Sequence, residues 1–230
     1  MPVDYQKDSV FKAFLASSIH DMKNSLGLII SSLDLIMDDT ENPPDKGQVS
    51  MLQYESRRIN NNLVQLLGLY KSESQLLSPH IDEQYVREFL DDPVAHEHNI
   101  INSRGINISI DCDDDQVGYF DSDLISSVLG NALHNAIRYT KDSIKVAAHQ
   151  ADDKYLLIQV IDNGPGFSQT LLSDRFEADT IIDDTVGGTG LGLHFCSTVA
   201  SLHDNHGKQG YITLSNNLPN GGAVFSLYLP

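Results

Sequence analysis

The sequence predicts an α+β chain in two parts, a helical hairpin followed by an α/β sandwich. Three features predict it. Apolar residues recur at helical spacing through the first third, short alternating segments mark strands in the remainder, and two helical stretches fall between those strands. With 230 residues and 40% hydrophobic content, the chain can bury the cores this layout needs.

In the first third, Leu15, Ile19, Met22, Leu26, Ile29, Leu33 and Ile36 are spaced alternately by four and three, forming the seam of a helix packed along its length. Pro43 and Pro44 break that helix. Val49, Leu52, Ile59, Leu63, Leu66 and Tyr70 then restore the rhythm, with Ser56 in the missing position. Two helices cannot enclose a core alone, so each seam needs a partner, and a homodimeric four-helix bundle is expected. A Ser-rich linker with Pro79, around Ser72 to Asp82, divides the chain into a hairpin domain at 1–76 and a second domain at 77–230.

The second domain begins with a helical stretch, Arg87 to Asn102. Strand candidates follow at Ile106–Ile110, Ile144–Ala148, Tyr155–Ile161, Tyr211–Leu214 and Ala223–Leu229. Helices near 122–140 and 190–203 fall between them, giving a mixed sheet with helices on one face.

The balance of 15 basic against 32 acidic residues gives a formal charge of −17 and a pI near 4.6, which weighs against binding nucleic acid or an anionic membrane surface. A nucleotide meeting such a chain must arrive with Mg²⁺. Cys112 and Cys196 show no metal or redox spacing and read as small buried side chains. No run of 18 apolar residues occurs, and the N-terminal MPVDYQKDSVFK lacks the pattern of a secretion signal, so a soluble, cytoplasmic protein is expected.

The chemistry concentrates between Ile161 and Leu193. Asp162 precedes Asn163-Gly164-Pro165-Gly166, and Gly188-Thr189-Gly190-Leu191-Gly192 opens an apolar run. Glycines let backbone N–H groups approach an anion, and a helix N-terminus adds partial positive charge. Leu193 stands where a dinucleotide fingerprint would have its third glycine, and no Gly-Lys-Ser/Thr follows, so both common phosphate-binding folds drop out. Upstream, Asn131 and Asn135 lie at i and i+4 on one helix face, followed by Arg138 and Tyr139. On the first helix, His20 stands beside the seam residue Ile19, with Asp21 next to it and Asn24 one turn beyond.

These boxes resemble, in order and spacing, those of the ATPase superfamily shared by sensor histidine kinases, type II topoisomerases, Hsp90 chaperones and MutL proteins. Gly130 to Thr140 is similar to the asparagine box of the histidine kinases, and Ile19 to Asn24 to their phosphoacceptor box. The resemblance implies ATP and Mg²⁺ as cofactors, with Asn135 the metal ligand. It implies that Asp162 accepts a hydrogen bond from the adenine amino group, with Gly164 and Gly166 letting the ring close. Asn131, Arg138 and Tyr139 would line the phosphate and adenine edges, beside the Gly188–Gly192 loop. His20 would accept the phosphoryl group, Asp21 would share the proton on its other ring nitrogen, and Asn24 would orient a water or phosphoryl oxygen. The implied activity is a two-component protein-histidine kinase that passes its phosphoryl group to an aspartate on a response regulator receiver domain. Its input is expected from a separate sensor protein or a segment outside this sequence. Two departures stand out. Ser25 replaces the proline that many relatives carry, and the connector from Phe167 to Gly187, a lid in the family, holds Asp174, Glu177, Asp179, Asp183 and Asp184 against Arg175 alone, which predicts weak, Mg²⁺-dependent ATP binding. Two alternatives stand beside this reading: a regulator phosphatase working through Asn24, and a phosphotransfer scaffold with a decayed ATPase domain.

Overall fold

A computed structural model of the chain describes residues 22–31, 33, 46–73, 77–176, 191–217 and 221–230. His20, Asp21, Gly188, Thr189, Gly190 and the acidic part of the connector beyond Phe176 lie outside the described residues.

Residues 22–31 are helical (α1), and Lys46–Glu73 form α2, the second arm expected from the seam. After the linker come β1 (Asp82–Tyr85), α3 (Val86–His96), α4 (His98–Ser103), β2 (Asn107–Cys112) and β3 (Val117–Phe120). The single helix expected from Arg87 to Asn102 is therefore two, parted at Glu97. Then follow α5 (Ser122–Tyr139), β4 (Ser143–Gln150), β5 (Leu156–Asp162), β6 (Ser173–Phe176), α6 (Leu191–Leu202), a small β7–β8 ribbon (Asp204–Asn205, Lys208–Gln209), β9 (Tyr211–Asn216) and β10 (Ala223–Leu229).

The main sheet has the order β2-β4-β5-β10-β9-β6. The β2–β4 pair is parallel and the others antiparallel. All five strands expected from the sequence are in it. The strands β1 and β3, which pair only with each other, were not expected, because DEQY and VGYF are too short to display an alternating pattern. Neither was β6. The connector begins as an edge strand that inserts Phe176, 3% exposed, into the core, and the lid expected from Phe167 onward is in this part an edge strand of the sheet.

Because side chains alternate across a sheet, register decides which residues face the helices. Ile110, Val146, Val160, Phe225 and Leu214 form one row across five strands, and Ala148, Ile158, Leu227 and Ile212 form the next. All but Ile110, which is partly buried, are buried under α3, α5 and α6. Asp162 pairs with Ile144 and belongs to the same inward set, so the alternation that builds the core also puts a carboxylate on the helix side of the floor. The opposite face carries Gln159 and Ser226, hydrogen-bonded at 2.9 Å, and a cluster of Tyr155, Tyr211 and Tyr228 in which the last two rings stack at 4.5 Å.

Candidate functional site

Helix α5 begins where Asp121 accepts a hydrogen bond from Leu124 N–H, satisfying one of the unpaired donors of the first turn. Its apolar stripe, Ile125, Val128, Leu129, Ala132, Leu133, Ala136 and Ile137, fixes its rotation on the sheet. Asn131 and Asn135 consequently share the flank that borders a cavity of about 500 Å³. Asp162 lies on the cavity floor, Val160 and Phe225 form an apolar base, Arg138, Tyr139, Gly166, Phe167 and Leu171 make one rim, and Gly192 and Leu193 approach from the start of α6.

The geometry explains the glycines around the cavity floor and the start of α6. A Cβ on Gly164 would lie 2.3 Å from Tyr139 O, and one on Gly192 would lie 2.4 Å from Asn131 Oδ1. Gly166 has φ +84°, open to glycine at little cost, and abuts the Asn216 amide. Asp162 is 6% exposed. Its Oδ1 accepts from Gly164 N–H at 2.7 Å and Ala223 N–H at 3.2 Å, which orients the carboxylate and leaves Oδ2 without a hydrogen-bond donor among the described residues. The Arg138 guanidinium packs 5.2 Å from the Tyr139 ring centre, both at the rim.

The two asparagines differ in what they have left to offer. Asn131 Oδ1 accepts from Gln65 and its Nδ2 donates to Cys196 Sγ at 3.3 Å, so both ends of the amide are engaged. Cys196 is fully buried, and that burial pushes its thiol up to about 12, leaving it protonated and chemically inert. No described residue hydrogen-bonds the Asn135 side chain, which faces the cavity. A free amide carbonyl at the mouth of a cavity suits Mg²⁺, which keeps several waters and takes few protein oxygens.

Four residues that hold the site were not foreseen. Asn163 Oδ1 accepts from Thr140 Oγ1 at 2.9 Å and from the Lys141, Asp142 and Ser143 N–H groups at 3.2 Å, tying the glycine turn after β5 to the end of α5. Asn216 grips Phe167 from both sides, accepting from its N–H at 2.7 Å and donating to its carbonyl at 2.9 Å. Asn61 and Gln65 of α2 line the cavity too. On α1, Asn24 is exposed and Ser25 is fully buried.

Residues 120–230 match the family described as histidine kinase-, DNA gyrase B- and HSP90-like ATPases. The chain is 27% identical over its whole length to the sensor protein SrrB of Staphylococcus aureus, and spans 40% of that protein. Among solved structures, the histidine kinase AdeS of Acinetobacter baumannii aligns with a TM-score of 0.61 at 17% identity, covering 91% of this chain and 96% of that one. The catalytic domain of histidine kinase ThkA aligns at 0.54 with 26% identity, over 66% of this chain and 97% of that domain. No helix among the described residues is long and apolar enough to cross a membrane. The fold and these relatives agree: residues 120–230 are similar to the ATPase domain of histidine kinases, DNA gyrase B and HSP90, in a chain that resembles the sensor histidine kinases over its whole length.

Proposed function

We propose that the chain is the catalytic core of an ATP-dependent protein-histidine kinase of a two-component system. The observation that carries this is the juxtaposition, in one cavity, of an oriented Asp162 carboxylate and an Asn135 amide with no hydrogen-bond partner among the described residues, on a domain that matches the ATPase family. Asp162 Oδ2 accepts the adenine amino group, Val160 and Phe225 pack on the ring, and Gly164 and Gly166 give it room. Asn135 would hold Mg²⁺ at the phosphates, with Asn131 and Gly192 beside them, Arg138 and Tyr139 at the rim, and Gly188, Thr189 and Gly190, which the sequence pattern assigns to the same role, just ahead of α6. The bound metal neutralises phosphate charge. Positioning and charge neutralisation supply most of the catalysis in phosphoryl transfer.

The phosphoryl acceptor is His20, with Asp21 sharing its ring proton and Asn24 orienting an oxygen on the same face. A receiver-domain aspartate on a response regulator then takes the group. Residues 1–76 form the dimerising, phosphoaccepting hairpin and 77–230 the ATP domain. The apolar seam supports a homodimer: Leu26 and Leu33 of the first arm and Leu63 and Tyr70 of the second are 44–55% exposed in the single chain.

Incubation with γ-labelled ATP and Mg²⁺ tests this directly. Acid-labile, base-stable label is expected on His20, and His20→Gln should abolish it without altering ATP affinity. Label mapped to a different histidine, or bound ATP with no label, would overturn the assignment.

A further inference from the structure

Helix α2 packs on the ATPase domain, with the Tyr54 ring stacked on His134 at 5.4 Å and Phe195 Cε2 only 2.8 Å from where a Cβ on Gly68 would be. Toward α3 the same contact encloses a second cavity, of about 280 Å³, bordered by Arg57 and Asn60 of α2, Glu97 at the break between α3 and α4, and Ser127 and His134 of α5. His134 and Asn61 stand in the wall between it and the first cavity.

Two acceptors meet in this cavity. The side chains of Glu97 and His134 are 6% and 11% exposed. His134 Nδ1–H donates to Gly130 O at 2.7 Å, so Nε2 of the neutral ring carries a bare lone pair. That nitrogen is 3.8 Å from Glu97 Oε1, and neither it nor Glu97 Oε2 has a hydrogen-bond partner among the described residues. A buried carboxylate so placed calls for a cation.

The spacing decides which. A proton on Nε2 does not reach across 3.8 Å, since a hydrogen bond spans at most about 3.2 Å, and it leaves Oε2 unmet. A zinc ion about 2.1 Å from both atoms sees them at about 130°, too wide for its tetrahedral geometry. An ammonium nitrogen about 2.8 Å from both sees them at about 85°, within the bend its hydrogen bonds tolerate, and supplies the missing positive charge. A plain amine, however, would crowd a second cation into a cavity already bordered by the Arg57 guanidinium, which donates to His96 O and keeps further N–H groups. Those groups fit a carboxylate.

We infer that this second cavity binds a small α-amino acid, its ammonium held between Glu97 and His134 and its carboxylate by Arg57 and the Asn60 amide. Ligand and cavity then each carry one charge of either sign, and both cavity charges are matched. The polar border and the volume suit a short side chain such as that of serine. This holds whatever the first cavity binds.

Calorimetry on the whole chain with L-serine, glycine, ethanolamine and lactate tests it, together with Glu97→Gln and Arg57→Gln. Ethanolamine, which lacks the carboxylate, and lactate, which lacks the amine, should each bind about ten- to hundredfold more weakly than L-serine, the factor carried by a hydrogen bond to a charged group. Glu97→Gln should weaken L-serine by a similar factor, and Arg57→Gln should weaken L-serine but not ethanolamine, with circular dichroism of both variants matching the wild type. The ligand series on the wild type stands even where a variant fails to fold. Ethanolamine binding as tightly as L-serine would reduce this to an amine site, and Zn²⁺ bound in place of any amino acid and lost in Glu97→Gln would make it a metal site. Serine affinity unchanged in Glu97→Gln would place the ligand elsewhere, and no binding by either amino acid would leave a cavity for water only. Each of these four results overturns the assignment.

Discussion

Asp162 has its two carboxylate oxygens assigned to different work, and that division predicts the effect of its nearest substitute. Asp162→Asn keeps an oxygen for the Gly164 and Ala223 N–H donors, so its NH₂ must turn into the cavity. A donor would then face the adenine amino group, also a donor. ATP affinity should fall by about 1.5–3 kcal/mol, the worth of a hydrogen bond to a charged group, with the unfolding midpoint barely changed. GTP, whose ring presents an acceptor at that position, should lose less than ATP does, and competition calorimetry with both nucleotides reads the difference. Equal losses would mean the ring does not sit against Asp162. This residue was legible in the sequence because it stands in a motif, as were Asn131, Asn135 and the glycines. Asn163 and Asn216 were not, because what they hold lies 20–23 and 49 residues away along the chain, and an isolated Asn in a turn gives no sign of that.

Among the elements, the junction of α5 and α6 carries a titratable group with a fixed protonation state. His203 is 2% exposed; its Nδ1–H donates to Val199 O at 2.9 Å and its Nε2 accepts from Asp121 N–H at 3.1 Å, a pattern only the neutral ring satisfies. Burial pushes its pKa below the ordinary 6.5. The native chain then binds fewer protons than the unfolded one as pH falls past 6.5, so the stability due to the neutral ring is complete above that value and is lost as pH drops toward the lowered native pKa. Urea midpoints should fall between roughly pH 7 and pH 5, and His203→Gln should flatten that slope. An unchanged slope in the variant would place the acid sensitivity elsewhere. Asp121 both caps α5 and offers this N–H, so the two helices are registered through one residue. Helices and long strands were legible because periodicity is a local signal. The break at Glu97 and the strands β1, β3 and β6 depend on partners distant in sequence, and so were missed. The docking of α2 escaped notice for another reason: Tyr54, Asn61, Gln65 and Gly68 are a mixed polar set, with no apolar stripe to announce a buried face.

At the scale of the whole molecule, α2 connects two surfaces, the seam on one side and the ATPase domain on the other. If the seam is the dimer interface, substituting Leu63→Glu and Tyr70→Glu together, 52% and 55% exposed in the single chain, should convert the dimer to monomer in sedimentation velocity. ATP affinity should be unaffected by loss of the partner, since neither side chain faces the cavity. A dimer that survives the double substitution would place the interface outside the seam. The order of strands has a consequence in time. In the sheet β10 lies between β5 and β9, is made after both, and also supplies the Ala223 N–H that orients Asp162. During synthesis the described helices, the asparagine box and the glycine turn after β5 emerge from the ribosome before the strand that joins the two halves of the floor. Until then, β5 and β9 each present an unpaired edge, open to the wrong partner. Until β10 slots between them, the nascent sheet is two separate halves whose open edges favour aggregation, and the Asp162 carboxylate lacks its Ala223 donor.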